Sequence, residues 1–180
     1  MGNFKEDIAR TEAFIFDVDG VMTDGGIIPT LDGDFIRRYN AKDGYAVSYA
    51  VRQGYKIFIV TGGRGDILYK RFSYLGVTEL HVNVSDKIAV LSGIMERHSL
   101  DPENVLFMGD DIPDLECMQA VGLPVCPADG DAFCRSDHGG AKKQGRCCGP
   151  AFDREMRLYS PSPNSFSMAS LSAPSALCCA

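Results

Sequence analysis

Asp17 and Asp19 are the first residues of this chain whose types and spacing could do chemistry. They close an apolar run, Ala13-Phe14-Ile15-Phe16, and Gly20 follows them. Side chains two apart on an extended strand leave on the same side, so the two carboxylates stand together. Carboxylates that close repel each other unless a cation lies between them or one keeps its proton, and either condition serves catalysis. The same residues could also form an ordinary surface turn, with Asp chosen for its own backbone hydrogen bonds. A calcium loop counted from Asp17 fails, because its sixth position is Met22 rather than Gly and its twelfth is Ile28 rather than Glu.

Two more apolar runs end in polar, glycine-rich corners. Residues 56–60 lead into Thr61-Gly62-Gly63, and residues 105–108 lead into Gly109-Asp110-Asp111. Lys87 stands in the first turn of a predicted helix. Carboxylates of Asp17 and Asp110, with a backbone oxygen, suit a hard octahedral ion such as Mg2+. The Thr61 hydroxyl, the Gly62 amide and the Lys87 ammonium can hold phosphoryl oxygens. Each feature alone is common. Four of them at the ends of successive elements form a metal and phosphate kit.

The elements that must position this kit follow from hydrophobic period. Unbroken apolar runs read as strands buried on both faces of a parallel sheet. Helices are predicted from Asp43 to the Gly54 stop, and over 66–75 with Ile67, Leu68, Phe72 and Leu75 inward and Gly76 ending it. Ser85 is predicted to cap a third, with Ile88, Leu91, Met95 and His98 on one face. Pro113 suits the first turn of a fourth, burying Leu115 and Met118. Weaker strands are predicted at 78–82 and 122–126. Strand–helix alternation gives an α/β fold with a doubly wound, mainly parallel, Rossmann-like sheet, whose carboxyl edge gathers the polar corners. Between Asp19 and the second strand, Asp32-Gly33 bends a hairpin at about 22–40, placed as a flap over the acids.

Composition bounds the rest. One domain with a full core fits 180 residues. A net charge of −6 argues against nucleic acid as a partner. No apolar run nears the roughly 20 residues that cross a bilayer, so no membrane association is expected. Residues 1–12 are charged and lack the apolar segment of a secretory leader. Seven cysteines form no Cys-x-x-Cys pair, and Cys117 and Cys126 read as small buried hydrophobes. A reducing, cytoplasmic setting follows. His81, His98 and His138 make no metal-ligand spacing. Beyond about residue 135 the period is lost and serine and proline accumulate. One domain over 1–135 and a poorly ordered tail over 136–180, with one helical turn near 152–158, are expected.

With these residues in place, the chain resembles the haloacid dehalogenase superfamily of phosphatases. The match is Asp17-Val18-Asp19-Gly20-Val21, Val60-Thr61-Gly62, Lys87 and Gly109-Asp110-Asp111, over roughly residues 10–130. Asp24-Gly25-Gly26 and Asn40-Ala41-Lys42-Asp43-Gly44-Tyr45 are similar to the 3-deoxy-D-manno-octulosonate 8-phosphate phosphatase family, a capless branch. The resemblance implies a magnesium-dependent phosphomonoesterase of bacterial lipopolysaccharide sugar synthesis that assembles as a homotetramer. It implies Asp17 as nucleophile and Asp19 as general acid and base, with Thr61 and Lys87 stabilising the transferring group. Magnesium would be held by Asp17, the Asp19 carbonyl and Asp110, with Asp111 orienting a metal-bound water. Asn40, Lys42, Asp43, Gly44, Gly62, Gly63, Arg64 and Arg71 would contact the phosphorylated sugar acid.

Three departures from the family pattern are visible. Ser48 and Gly63 stand where the family often has arginines, with Arg64 as a substitute for the second. This keeps a phosphatase of nine-carbon ketodeoxy sugar acid phosphates open as an alternative. The family's C-terminal Gly-Gly-x-Gly segment has only Gly139-Gly140 as an echo, so an altered C-terminal end is expected. A non-catalytic tetramerisation module is the alternative of another class. A signalling receiver domain is disfavoured, because there the lysine follows both acid positions.

Overall fold

The structure is a computed structural model describing residues 8–135 and the backbone of 146–148. Its core is a sheet of six strands: β1 Ala13–Phe16, β4 Lys56–Val60, β5 Glu79–His81, β6 Val105–Met108, β7 Leu123–Pro127 and β8 Arg146–Cys148. Every pairing is parallel and the order is β5-β4-β1-β6-β7-β8. β1, β6 and β7 are buried at every residue, as continuous apolar strands covered on both faces must be.

Helices cover both faces. Phe14 and Phe16 join a cluster with Val47 and Ala50 of α1 (Ala41–Arg52) and Leu68, Phe72 and Leu75 of α2 (Asp66–Leu75). Ala13 and Ile15 face the other way, packing with Leu91 and Ile94 of α3 (Lys87–His98), Cys117 and Met118 of α4 (Leu115–Gln119) and Cys134 of α5 (Ala132–Arg135). This is the doubly wound arrangement. The chain leaves β1 toward β4 and β5, then crosses to β6 on β1's other side, so the winding reverses beside β1. Ligands of open α/β sheets bind outside the strand ends at such a reversal.

The hairpin forms from β2 (Ile28–Pro29) and β3 (Phe35–Ile36), paired antiparallel, with Ile28 opposite Ile36. Gly33 takes φ +83 in its turn, a conformation that glycine adopts without strain. Among the described residues this hairpin is the sole insertion between β1 and α1, and no separate cap domain occurs. No described helix is long and apolar enough to cross a membrane.

Local differences from the sequence reading have local causes. Asp86 rather than Ser85 caps α3, its carboxylate accepting from the Ala89 amide at 3.0 Å. Asn40 caps α1, one turn before the predicted start at Asp43. Ile67 is 46% exposed, because Leu68, Phe72 and Leu75 alone fill the inward stripe of α2. Leu115 is only half-buried beside buried Cys117 and Met118. β8 pairs with β7, Cys147 opposite Cys126, where the sequence period gave no strand. The rest of the expected tail, including the helical turn near 152–158, lies outside the described residues.

Candidate active site

The register delivers the acids to one place. Phe16 lies opposite Ile59 of β4 and Met108 of β6, so the residues after all three strands share one edge. The Asp17 amide donates to the Met108 carbonyl at 3.0 Å, which fixes the start of the turn against β6. Gly20, with φ +88, then passes so close to Asp110 that a Cβ there would lie 1.8 Å from its Oδ2. Only glycine fits.

Asp17, Asp110 and Asp114 each place a carboxylate oxygen within 4.8 Å of the others. Lys87 Nζ sits among them, 3.1 Å from Asp17 Oδ2 and 2.7 Å from Asp114 Oδ1. Asp114 is fully buried, and its Oδ2 also accepts from the amides of Asp110 and Asp111. Both of its oxygens are therefore engaged. By contrast, Asp17 Oδ1 and Asp110 Oδ1 are buried and have no hydrogen-bond partner.

Burial, then the charge of Asp114, pushes Asp17 up to about 6 despite the opposing pull of Lys87. Burial, then Asp17, Asp114 and Asp111, pushes Asp110 up to about 7. Burial works against the Lys87 charge, but Asp17 and Asp114 outweigh it and raise its pKa. Two buried carboxylates, Asp17 and Asp114, and the half-buried Asp110, answered by one ammonium, leave an excess of negative charge, which a divalent cation would relieve. Asp17, Asp110 and Asp114 are a set that could hold a hard cation, and the unpartnered oxygens of Asp17 and Asp110 are the ones left to accept it. Asp114 stands behind them and orients Lys87.

Thr61 is buried at the end of β4, and its hydroxyl accepts from the Gly63 amide at 3.0 Å. Asp19 is not among the clustered acids. Its two oxygens pair with Arg37, from the strand β3 side of the hairpin, at 2.7 and 3.0 Å. Asp111 is exposed and caps the turn of 3-10 helix at Ile112–Asp114, so its side chain lies outside the cluster that the sequence assigned it to. Gly44 is buried beneath Arg71, whose Nη2 would lie 2.4 Å from a Cβ there, and Arg71 stacks on the Tyr39 ring at 5.3 Å. Asn40 and Lys42 are exposed at the start of α1, and Arg64 stands over the Phe35 ring at 6.0 Å. Ser48 donates its hydroxyl to the Leu75 carbonyl, a contact between α1 and α2.

A cleft of ≈ 350 Å³ adjoins the acids through Gly20 and is lined by Thr23, Asp24, Tyr39, Asn40 and Asp43 among others. Of the residues named for sugar contacts, Asn40 and Asp43 line it, whereas Gly63 and Arg64 lie by the hairpin and Gly62 faces the Val84 carbonyl. Sequence reasoning missed Asp114 and Arg37. Asp114 carried a signal, standing four residues after Asp110 at the start of a helical turn, whereas nothing near Arg37 in the chain marks it.

No family model matches the chain. The Escherichia coli K12 protein named 3-deoxy-D-manno-octulosonate 8-phosphate phosphatase KdsC is 36% identical over 125 residues, 68% of this chain and 66% of that protein. The crystal structure of the Yersinia pestis 3-deoxy-D-manno-octulosonate 8-phosphate phosphatase is 32% identical, with a TM-score of 0.70, over 78% of this chain and 76% of that one. This chain belongs to the 3-deoxy-D-manno-octulosonate 8-phosphate phosphatase family. It spans just under two thirds of the length of the Escherichia coli relative, 66%. The family's fold extends to a Moraxella catarrhalis phosphatase at 24% identity and a TM-score of 0.67, over 71% of this chain and 73% of that one. That protein was crystallised with magnesium, phosphate and KDO.

Proposed function

We propose that this chain is a magnesium-dependent phosphomonoesterase that hydrolyses 3-deoxy-D-manno-octulosonate 8-phosphate through an aspartyl phosphate on Asp17. The observation that carries the reading is the pair of buried, unpartnered oxygens on Asp17 and Asp110 beside Lys87, in a chain with relatives named for that reaction.

Each residue has a task in this reading. An Asp17 carboxylate oxygen forms a bond to phosphorus as the bond from phosphorus to the sugar oxygen breaks. Asp19 gives a proton to the departing sugar oxygen. It then takes one from the water that attacks phosphorus, which releases phosphate and restores Asp17. Thr61, the Gly62 amide and Lys87 hold the charge on the transferring group. Asp17, Asp110 and the Asp19 carbonyl would hold magnesium, whose positive charge would let a carboxylate approach a phosphoryl group. The cleft beside Gly20 takes the sugar acid, with Asn40 and Asp43 at its wall and Lys42, Gly44 and Arg71 on the neighbouring helices.

The same reading includes a homotetramer in the cytoplasm. Ile28, Leu31 and Ile36 leave apolar surface exposed on the hairpin, as an interface between copies would require.

Phosphate release from p-nitrophenyl phosphate with magnesium, compared with Asp17→Asn, tests the enzyme. Asp17→Asn is expected to lose at least about a thousandfold in kcat. Equal, slow release by both proteins would instead favour a non-catalytic assembly module. A turnover screen of eight- and nine-carbon ketodeoxy acid phosphates tests the substrate, with the eight-carbon ester expected to have the higher kcat/KM.

A further inference from the structure

Arg37 is the one guanidinium that the hairpin carries into the acid edge. Its side chain is only 1% exposed. Nε meets Asp19 Oδ1 at 2.7 Å and Nη2 meets Oδ2 at 3.0 Å. The guanidinium lies over Gly63, where a Cβ would stand 2.7 Å from Nη2 and 3.1 Å from Thr61 Oγ1. Arg37, Asp19 and Thr61 thus share one corner.

Asp34 and Phe35, just before Arg37, dock on the same loop. A Cβ on Gly65 would meet Asp34 Oδ1 at 2.1 Å, and Arg64 stands over Phe35. Glycine at 63 and 65 is what lets the hairpin come down this far. Docking alone does not account for Arg37, however. Its Nη1 is buried and has no hydrogen-bond partner, a state that costs stability unless an arriving oxygen satisfies it.

Resting on the phosphatase reading, we infer that Arg37 is a positioning residue for Asp19. The guanidinium fork fixes the plane of the Asp19 carboxyl so that its remaining lone pairs face the ester oxygen that leaves. A fork uses one acceptor site on each oxygen, and each oxygen has two, so the paired group keeps a site for the transferred proton. As the bond from phosphorus to the sugar oxygen breaks, its electron pair stays on that oxygen and the proton comes from Asp19. Arg37 neither gives nor takes a proton. Docking of the hairpin and aiming of the acid are then the same event.

A test follows from leaving-group chemistry, because a sugar alkoxide needs that proton and nitrophenolate departs without it. Arg37→Met should lower kcat on the sugar acid phosphate on the order of 100-fold, and at least about tenfold more than on p-nitrophenyl phosphate. Arg37→Lys should recover part of the difference, since one ammonium restores charge but not the fork. Any misfolded fraction lowers both rates alike and leaves their ratio untouched. Equal losses on the two esters, or no loss on either, would overturn the inference while wild-type turnover keeps the phosphatase reading. If the wild-type chain hydrolyses neither ester, that reading fails first and this one with it.

Discussion

The acid edge and the hairpin lie side by side and are built on opposite principles. At the acid edge every group hangs from a buried parallel strand or the first turn of a helix, and Asp17, Lys87 and Asp114 are almost wholly enclosed. The hairpin has two residues per strand, four large apolar side chains exposed (Ile27, Ile28, Leu31 and Ile36) and one deeply buried cation. The first region holds chemistry rigid at a cost in electrostatics. The second reaches the acids through a single pair, Arg37 with Asp19.

Breaking the acid edge should have the larger consequence. Asp114→Ala removes a buried partner of Lys87 and the acceptor of two amides. It should destabilise the fold by about 3 kcal/mol, read in chemical denaturation. Gly20→Ala forces a side chain into Asp110 at a positive φ. It should cost about 1–3 kcal/mol and displace the carboxylate, so that magnesium-dependent turnover falls further than stability does.

The charge excess itself can be read by pH. In chelated protein, Asp17 and Asp110 titrate near 6 and 7 instead of at the ordinary 3.8. Between those values the folded chain holds protons that the unfolded chain has released, so stability falls as pH rises through that window. Glu79 works the other way but outside it. Partial burial raises its carboxyl, yet hydrogen bonds from Arg97, His98 and His81 prevail and hold it at about 2, so its contribution is lost only as pH falls below 4.5. Thermal melts with chelator should show a higher Tm at pH 5 than at pH 8, with magnesium raising Tm most at pH 8. On the hairpin, Leu31→Ala should shift unfolding free energy by less than about 0.5 kcal/mol, because Leu31 is fully exposed.

The same contrast explains what could be read from the chain without coordinates. Strands β1, β4 and β6 announce themselves by unbroken apolar runs, and their glycine-rich ends mark the edge where Asp17, Thr61 and Asp110 meet. Those signals are local. Asp114 was missed because its role depends on Lys87, 27 residues earlier in the chain and joined to it only by the fold. Arg37 was missed for the same reason, lying 18 residues from Asp19. The cap that the Asp111 carboxylate makes on the Ile112 amide also belongs to the turn's geometry and has no mark in the pairing of the two acids. Ser85 and Asp86 are adjacent and equally able to cap a helix, so sequence could not choose between them.

The central claim is that Asp17 carries the phosphoryl group. Acid quenching during turnover of a radiolabelled phosphate ester, followed by peptide mapping, tests it directly. The account predicts covalent label on the peptide containing Asp17, released by hydroxylamine and missing from Asp17→Asn. Full-rate phosphate release with no covalent label, or label on any other residue, would contradict it.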